Sequence, residues 1–232
     1  MIPAYLINLD REVDRLNSSI EESQGLACEL TRVSAIDLKS LPGNSNLYVA
    51  AGVRAAWLSH MQCLKIFLES GHSFALILED DFSIRNINVF NNEIMRVTES
   101  KPDIVQFGFL MPGIDTRIKI LISNVEESFF RGFSFISRSL NLNTRSRLRI
   151  SRLDGVPSGY VIDDFQPGAH CYLISRKAAG IILELNEPQF LSIDDFFTAF
   201  ARMRSLRFLR IKKSISSQKP FMPWKGDRFR SV

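Results

Sequence analysis

Phe74-Ala75-Leu76-Ile77-Leu78 runs straight into Glu79-Asp80-Asp81. Five consecutive apolar residues bounded by polar ones read as a strand covered on both faces, which is how a central strand of an α/β sheet looks. Just before it, Val53, Trp57, Met61, Leu64 and Leu68 recur at helical spacing, with Arg54, Gln62, Lys65 and Glu69 on the opposite face. An amphipathic helix over 53–69, ended near Gly71, therefore leads into the strand. Working outward, residues 4–8 and 30–35 read as strands, 11–24 as a helix, and 41–48 as a Pro/Gly/Asn loop. Downstream, the pattern predicts helices over 89–100, 176–185 and 192–204, and strands over 103–107 and 169–174. Strands alternating with helices predict a mostly parallel α/β sheet. Residues 118–164, rich in Arg, Ser and Asn, read as an irregular loop or lid region.

Composition narrows the function classes. Of 232 residues, 45% are hydrophobic and 23% charged, enough apolar material for one large domain and too much for a disordered chain. No apolar run approaches the roughly 20 residues that span a bilayer, and no stretch has the layout of a secretory leader. Cys28, Cys63 and Cys171 are spaced for neither a zinc site nor a disulfide framework, so a reducing, cytoplasmic setting is expected. The net charge of +4 hides an asymmetry. Residues 202–232 hold ten Lys or Arg and one acid, for +9, leaving −5 on residues 1–201. A catalytic domain over 1–201 and a basic segment over 202–232 are therefore expected. Six arginines without an acid form a second basic patch over 131–152. Such runs are solvated surface, or surfaces aimed at phosphates of a membrane, a nucleic acid or an anionic glycolipid. The acidic balance of the first 201 residues and the lack of an RNA-binding aromatic signature argue against nucleic acid.

Ligands of open α/β sheets bind outside the carboxyl ends of the strands. The sequence places Asn8, Asp10 and Arg11 after the first strand and Glu79, Asp80 and Asp81 after the apolar one. Three adjacent carboxylates repel one another and resist desolvation, so something must compensate. Mg²⁺ or Mn²⁺ suits hard oxygens and completes its shell with substrate phosphates. An acidic turn capping the next element is the alternative. Side chains alternate along an extended segment, so Glu79 and Asp81 would face one ligand and Asp80 another way.

The wider pattern resembles glycosyltransferase family 25, the bacterial lipooligosaccharide galactosyltransferases related to collagen glycosyltransferase domains. The likeness rests on Tyr5-Leu6-Ile7-Asn8-Leu9-Asp10-Arg11 with Arg15, on Arg32-Val33-Ser34-Ala35-Ile36-Asp37, on Leu58-Ser59-His60, and on Ala75 to Asp81. Gly168-Ala169-His170-Cys171-Tyr172-Leu173-Ile174-Ser175-Arg176 and Ile193-Asp194-Asp195 add weaker support. Two departures stand out: Ala55-Ala56 replaces a Gly-Cys pair, and Val53-Arg54 replaces an acidic residue.

The resemblance implies a GT-A-like fold with a Rossmann-type nucleotide-binding sheet. It also implies a UDP-sugar donor, usually UDP-galactose, Mn²⁺ or Mg²⁺, and inverting transfer to a glycan or lipid-linked oligosaccharide. Glu79-Asp80-Asp81 would stand in for the DxD motif, with Asp81 as metal ligand and Glu79 or Asp80 holding ribose or coordinated water. A catalytically inactive module that binds glycans or a partner is the alternative.

The remaining positions carry two readings each. Arg11 and Arg15 share a helix face, for phosphate or uracil contact or for salt bridges to nearby acids. Asn8 and Asp10 would contact the nucleotide, or Asp10 would cap the next helix. His60 and His170 read first as structural, His60 facing the packed side of its helix and His170 within a strand. Ser192-Ile193-Asp194-Asp195 resembles a capping box, which accounts for Asp195. Asp194 is left in the first turn, where the helix terminus would keep it ionised; it is the general-base candidate, with Asp195 in reserve and Asp163-Asp164 as a rival pair. The Phe-rich run at 129–135 would be an acceptor platform or a set of loop anchors. The basic segment over 202–232 would hold the chain reversibly on an anionic inner leaflet.

Overall fold

The computed structural model describes residues 1–41, 50–110, 156–185, 191–203 and 206–219. In chain order the elements are β1 (Ile2–Asn8), α1 (Val13–Glu22), β2 (Cys28–Ser34), a 3-10 turn (Leu38–Ser40), α2 (Ala51–Glu69), β3 (Phe74–Glu79), β4 (Phe82–Ile84) and α3 (Ile87–Glu99). There follow β5 (Ile104–Gln106), β6 (Tyr160–Ile162), β7 (Cys171–Ser175), α4 (Arg176–Glu184), α5 (Ile193–Met203), β8 (Phe208–Ile211) and β9 (Ser216–Gln218).

Seven strands form one sheet in the order β2-β1-β3-β7-β5-β8-β6, and β4 pairs with β9 in a separate antiparallel ribbon. The sheet is mixed. β7 runs antiparallel to both β3 and β5, and β6 antiparallel to β8, while the other five strands share one direction. β3 lies near the middle, as its uninterrupted apolar run requires. Alternate side chains enter two cores: Tyr5, Ile7, Ala75 and Ile77 pack with Trp57, Phe67 and Phe197 of α2 and α5. Ala4, Leu6, Leu76 and Leu78 face Phe90 and Val97 of α3 on the other side. On α2, Trp57, Met61 and Leu64 are buried as their spacing predicts, and Trp57 meets Phe196 edge-on at 4.8 Å between ring centroids.

Three expectations need correction. The boundary expected after residue 201 cuts through the sheet: β8 lies between β5 and β6, and β9 holds β4. Basic residues at 207, 210, 212 and 213 mask the short apolar strand Phe-Leu-Arg-Ile between them. His170 sits in the turn that precedes β7, not within a strand. Within the expected irregular region, residues 160–162 form β6 at the sheet edge. The 129–135 Phe run, the 131–152 arginine patch and most of the 41–48 loop lie outside the described residues. Among the described residues no helix is long and apolar enough to cross a membrane, and all three cysteines are free.

Candidate active site at the sheet's carboxyl edge

From β1 the chain passes through α1 to β2 on one side, then crosses back through α2 to β3 on the other. The carboxyl ends of β1 and β3 therefore flank the point where strand order reverses, the usual ligand crevice of such sheets. Ile7 is in register with Glu79, so Asn8 and Asp80 come next on either side. Asn8 is buried and fully used: its amide donates to Asp80 Oδ2 at 2.8 Å and to the Glu12 carbonyl at 3.1 Å. Its Oδ1 accepts from Arg32 Nε at 3.1 Å, and its carbonyl accepts from the Ala35 amide at 2.9 Å. Asn8 thus joins the ends of β1, β2 and β3, a positioning part that leaves no amide proton for a nucleotide.

The strand ends at Glu79, and Asp80-Asp81 form a turn into β4. Side-chain alternation stops there, so the expected pairing of Glu79 with Asp81 does not occur. Glu79 turns to α2, where its Oε1 meets His60 Nε2 at 3.1 Å, while His60 Nδ1 meets the Tyr172 hydroxyl at 3.0 Å. Asp80 and Asp81 instead share the Arg15 guanidinium, Asp80 by direct contact and Asp81 at 3.5 Å. Ser19, one helical turn after Arg15, donates to the Asp80 carbonyl at 2.7 Å. One face of α1 therefore clamps the acidic turn. β9 completes the clamp: Gln218 Nε2 donates to Asp81 Oδ2 at 2.6 Å, and the Lys219 amide to the Asp81 carbonyl at 2.6 Å.

Charge in this turn is poorly compensated. Burial, then the Glu79 charge, pushes the Asp81 carboxyl up to about 6. Burial also raises Asp80, against the opposing pull of Arg15 and Asn8. For Glu79 burial works against ionisation too, but the hydrogen bond and charge of His60, with His170 and Arg15, outweigh it and hold the carboxyl below its usual range. Asp81 Oδ1 is buried with no hydrogen-bond partner.

Asp194, in the first turn of α5, arrives at the same edge from the α2 side. Its Oδ2 accepts from the Gly168 amide at 3.0 Å, and its Oδ1 is buried without a partner. Burial, with Glu79 nearby, raises its carboxyl above the usual range against the Gly168 and Ala169 amides. Desolvation thus opposes the helix terminus that the sequence places beside it. Asp195 is exposed and engaged in the cap, accepting from Ser192 Oγ at 2.7 Å while its own amide donates to that oxygen at 3.1 Å.

The other candidates are taken elsewhere. Arg11 contacts Asp37 and lies 3.5 Å from Glu12, away from the acidic turn. Asp10 is held by Arg32 and by Ser34 Oγ at 2.8 Å rather than capping α1. Those two hydrogen bonds lower its carboxyl. Asp164 is bound by Arg210 Nε at 2.8 Å and Gln166 at 2.9 Å, so the rival pair offers no free base there.

His170 has surroundings unusual for a purely structural histidine. Both ring nitrogens are buried without partners, and burial lowers its pKa. A Cβ on Gly108 would lie 2.3 Å from His170 Nε2, and one on Gly168 (φ +117°) 3.1 Å from Nδ1, so two glycines make room for the ring. Gln106 fastens the Gly168 loop beneath it, donating to the Gln166 and Gly168 carbonyls at 2.6 and 3.1 Å. Asp81 Oδ1, Asp194 Oδ1 and both His170 nitrogens are thus unsatisfied polar atoms gathered at one edge. Buried polar groups are normally paired, so these exceptions set the carboxyl edge of the sheet apart from the rest of the core.

Comparison with known proteins identifies the family. The family model described as glycosyltransferase family 25 (LPS biosynthesis protein) matches residues 1–197. No curated protein is similar enough to count as a match. Among solved structures, one similar chain is a glycosyltransferase involved in glycosylation of the major capsid of PBCV-1, at 10% identity and TM-score 0.47, over 94% of this chain and 91% of that one. Another is a proposed glucose-1-phosphate thymidylyltransferase from Bacillus anthracis in complex with sucrose, at 9% identity and TM-score 0.42, over 92% and 69%. Neither likeness, with its TM-score below 0.5, bears on function. The family match spans every described element from β1 into α5, including the acidic turn and Asp194, and on it the chain belongs to glycosyltransferase family 25 and is a glycosyltransferase, built here on a mixed α/β sheet.

Proposed function

We propose that this enzyme moves a hexose, with inversion, from a UDP-sugar, UDP-galactose first among them, to a hydroxyl of a lipooligosaccharide or other glycan. The observation that carries the donor side is Asp81 Oδ1, a buried carboxylate oxygen without a partner at the strand-order switch.

The donor set fits Mn²⁺ or Mg²⁺ held largely by substrate. Among the described residues no group of three or more His, Cys, Asp or Glu side chains is arranged for a metal. Asp80 is occupied by Asn8 and Arg15, and Glu79 by His60, which leaves Asp81 as the direct ligand. One carboxylate plus phosphate oxygens and water is an ordinary Mg²⁺-type shell. When bound, the cation offsets the charge that grows on the departing diphosphate.

The chain's own groups supply the rest. Arg15, against both aspartates, keeps the turn in place and adds positive charge at its mouth. Asp194 takes the acceptor proton: Gly168 fixes one oxygen, and the free one receives the hydrogen. The acceptor oxygen bonds to the anomeric carbon, the carbon–oxygen bond to UDP breaks with its electron pair leaving on the diphosphate, and the proton ends on Asp194. A positioned base of this kind contributes roughly 10²–10⁴ in rate. Asp194's raised carboxyl affinity brings it closer to neutral pH, which suits that task. Basic residues of the segment after 202 that are not engaged within the fold, as Arg210 is with Asp164 and Lys219 with Ser18, would hold the enzyme at an anionic inner leaflet at about 1 kcal/mol per Lys or Arg; salt-insensitive pelleting with anionic vesicles would count against this.

Thermal shift with UDP, with and without Mn²⁺, tests the reading. Ligand at ~100 times its Kd adds about 2.7 kcal/mol, or roughly 5–11 °C for a chain of this size. A shift that requires Mn²⁺, followed by donor hydrolysis in a screen of nucleotide sugars, is expected. No shift with any nucleotide would make the chain a binding module on a transferase fold.

A further inference from the structure

A cleft of about 450 Å³ opens on the α3 side of the sheet, between the N-terminal end of α3 and the turn after β8. Val89, Ile211 and Ile215 give it an apolar floor, and Arg85, Lys212 and Lys213 stand around it. Glu93, in its wall, is already matched by Arg96 at 2.5 Å and by the Tyr160 hydroxyl at 2.8 Å. Arg85, Lys212 and Lys213 are exposed, and none forms an ion pair among the described residues. Three cations around one small concavity repel one another, and among the described residues no acidic side chain offsets that.

The cleft is tied to the reaction centre by the β4–β9 ribbon. At one end Gln218 and Lys219 hold Asp81; at the other the Arg85 amide donates to the Ile215 carbonyl at 3.2 Å. Arg85 lies four positions after Asp81, about 13 Å if fully extended at ~3.3 Å per residue. A short oligosaccharide spans such a distance.

We propose that this cleft binds a phosphorylated sugar of the acceptor glycan while a hydroxyl further along the glycan reaches the reaction centre beside Asp81. The acceptor role rests on the transferase reading given above; the recognition of a phosphate-bearing sugar does not. Three cations with no ion pair among the described residues suit a phosphomonoester, which carries up to two charges, better than one carboxylate. The apolar floor suits the C–H face of a pyranose. A concave site meets a sugar better than it meets the plane of a bilayer.

The test uses the full chain and a fluorescent oligosaccharide made by deacylating phosphorylated lipopolysaccharide, beside the same material after enzymatic dephosphorylation. The wild type binds the phosphorylated form about tenfold or more tighter, and the preference shrinks as salt rises. Arg85→Ala/Lys212→Ala/Lys213→Ala binds both forms alike and weakly, yet keeps its melting temperature and its UDP-induced shift. Equal binding of the two forms by the wild type, or an unchanged preference in the triple variant, overturns the proposal. So does uptake by phosphatidylglycerol vesicles that depends on the three residues and resists competition by the phosphorylated oligosaccharide. If the preference holds but UDP gives no shift, the phosphosugar site stands and the transferase reading falls.

Discussion

Asp81→Asn should make the metal-free protein more stable while abolishing its response to manganese. Burial and the Glu79 charge move the Asp81 carboxyl from 3.8 to about 6. At ~1.36 kcal/mol per pH unit, ionising it in the folded chain costs about 3 kcal/mol more than in the unfolded one. The sign follows from linkage. Because the folded-state value is the higher, the contribution is intact below about pH 4, falls away as pH rises to about 6, and is gone above that. Asparagine has no charge to desolvate, and its amide oxygen still accepts from Gln218. It gives up the Arg15 contact at 3.5 Å, so the net gain near pH 7.5 is about 1–3 kcal/mol. For this chain length that is a rise in Tm of roughly 2–12 °C. Scanning calorimetry in EDTA reads the gain, and repeating it with UDP and Mn²⁺ reads the lost response. A variant that melts at or below the wild type in EDTA, and still responds to Mn²⁺ as the wild type does, would refute both the buried-charge argument and the ligand assignment.

Asp194→Asn keeps an oxygen for the Gly168 amide but cannot accept a proton, so kcat should drop by roughly 10²–10⁴ with little change in Tm. In the wild type, the acid limb of kcat/KM against pH should lie above the ordinary carboxylate range, because burial raises Asp194. Asp195→Ala loses only its part in the Ser192 cap, lowering stability by about 0.5–2 kcal/mol in denaturant melts and leaving kcat intact; a collapse of kcat would exchange the roles of the two aspartates. Gly108→Ala places a methyl 2.3 Å from His170 Nε2 and 3.0 Å from the Ser216 carbonyl, and should destabilise by about 1–3 kcal/mol in urea titration.

Local pattern revealed the central parts of this fold. The apolar run after Ser73 became β3 and the 3.6-residue stripe became α2; Ser192 accepts from the Asp195 amide as a cap would, while the Asp195 carboxylate accepts from the Ser192 hydroxyl. What escaped reading was short or distant. Strands of three residues, such as β4, β6 and β9, carry too few side chains to show a period. The partners that decide the site's chemistry lie far apart in the chain: Asn8 and Asp80 by 72 positions, Tyr172 and His60 by 112, Gln218 and Asp81 by 137. Arg11 and Arg15 look equivalent in sequence, yet the turn of the chain after β1 sends one to Asp37 and the other to the acidic turn. Desolvation of Asp194 was equally hidden, since it depends on how the Gly168 loop folds over it.

The position of β8 inside the sheet bears on how the enzyme is handled. A truncation that stops where the family match ends, at residue 197, would strip the middle partner from β5 and β6 and bare backbone donors and acceptors along β5. Open strand edges of that kind recruit other chains, so such a fragment is expected to clump in expression trials. Affinity tags and fusions are safer joined beyond Lys219, where they spare β8, β9 and the hold on Asp81.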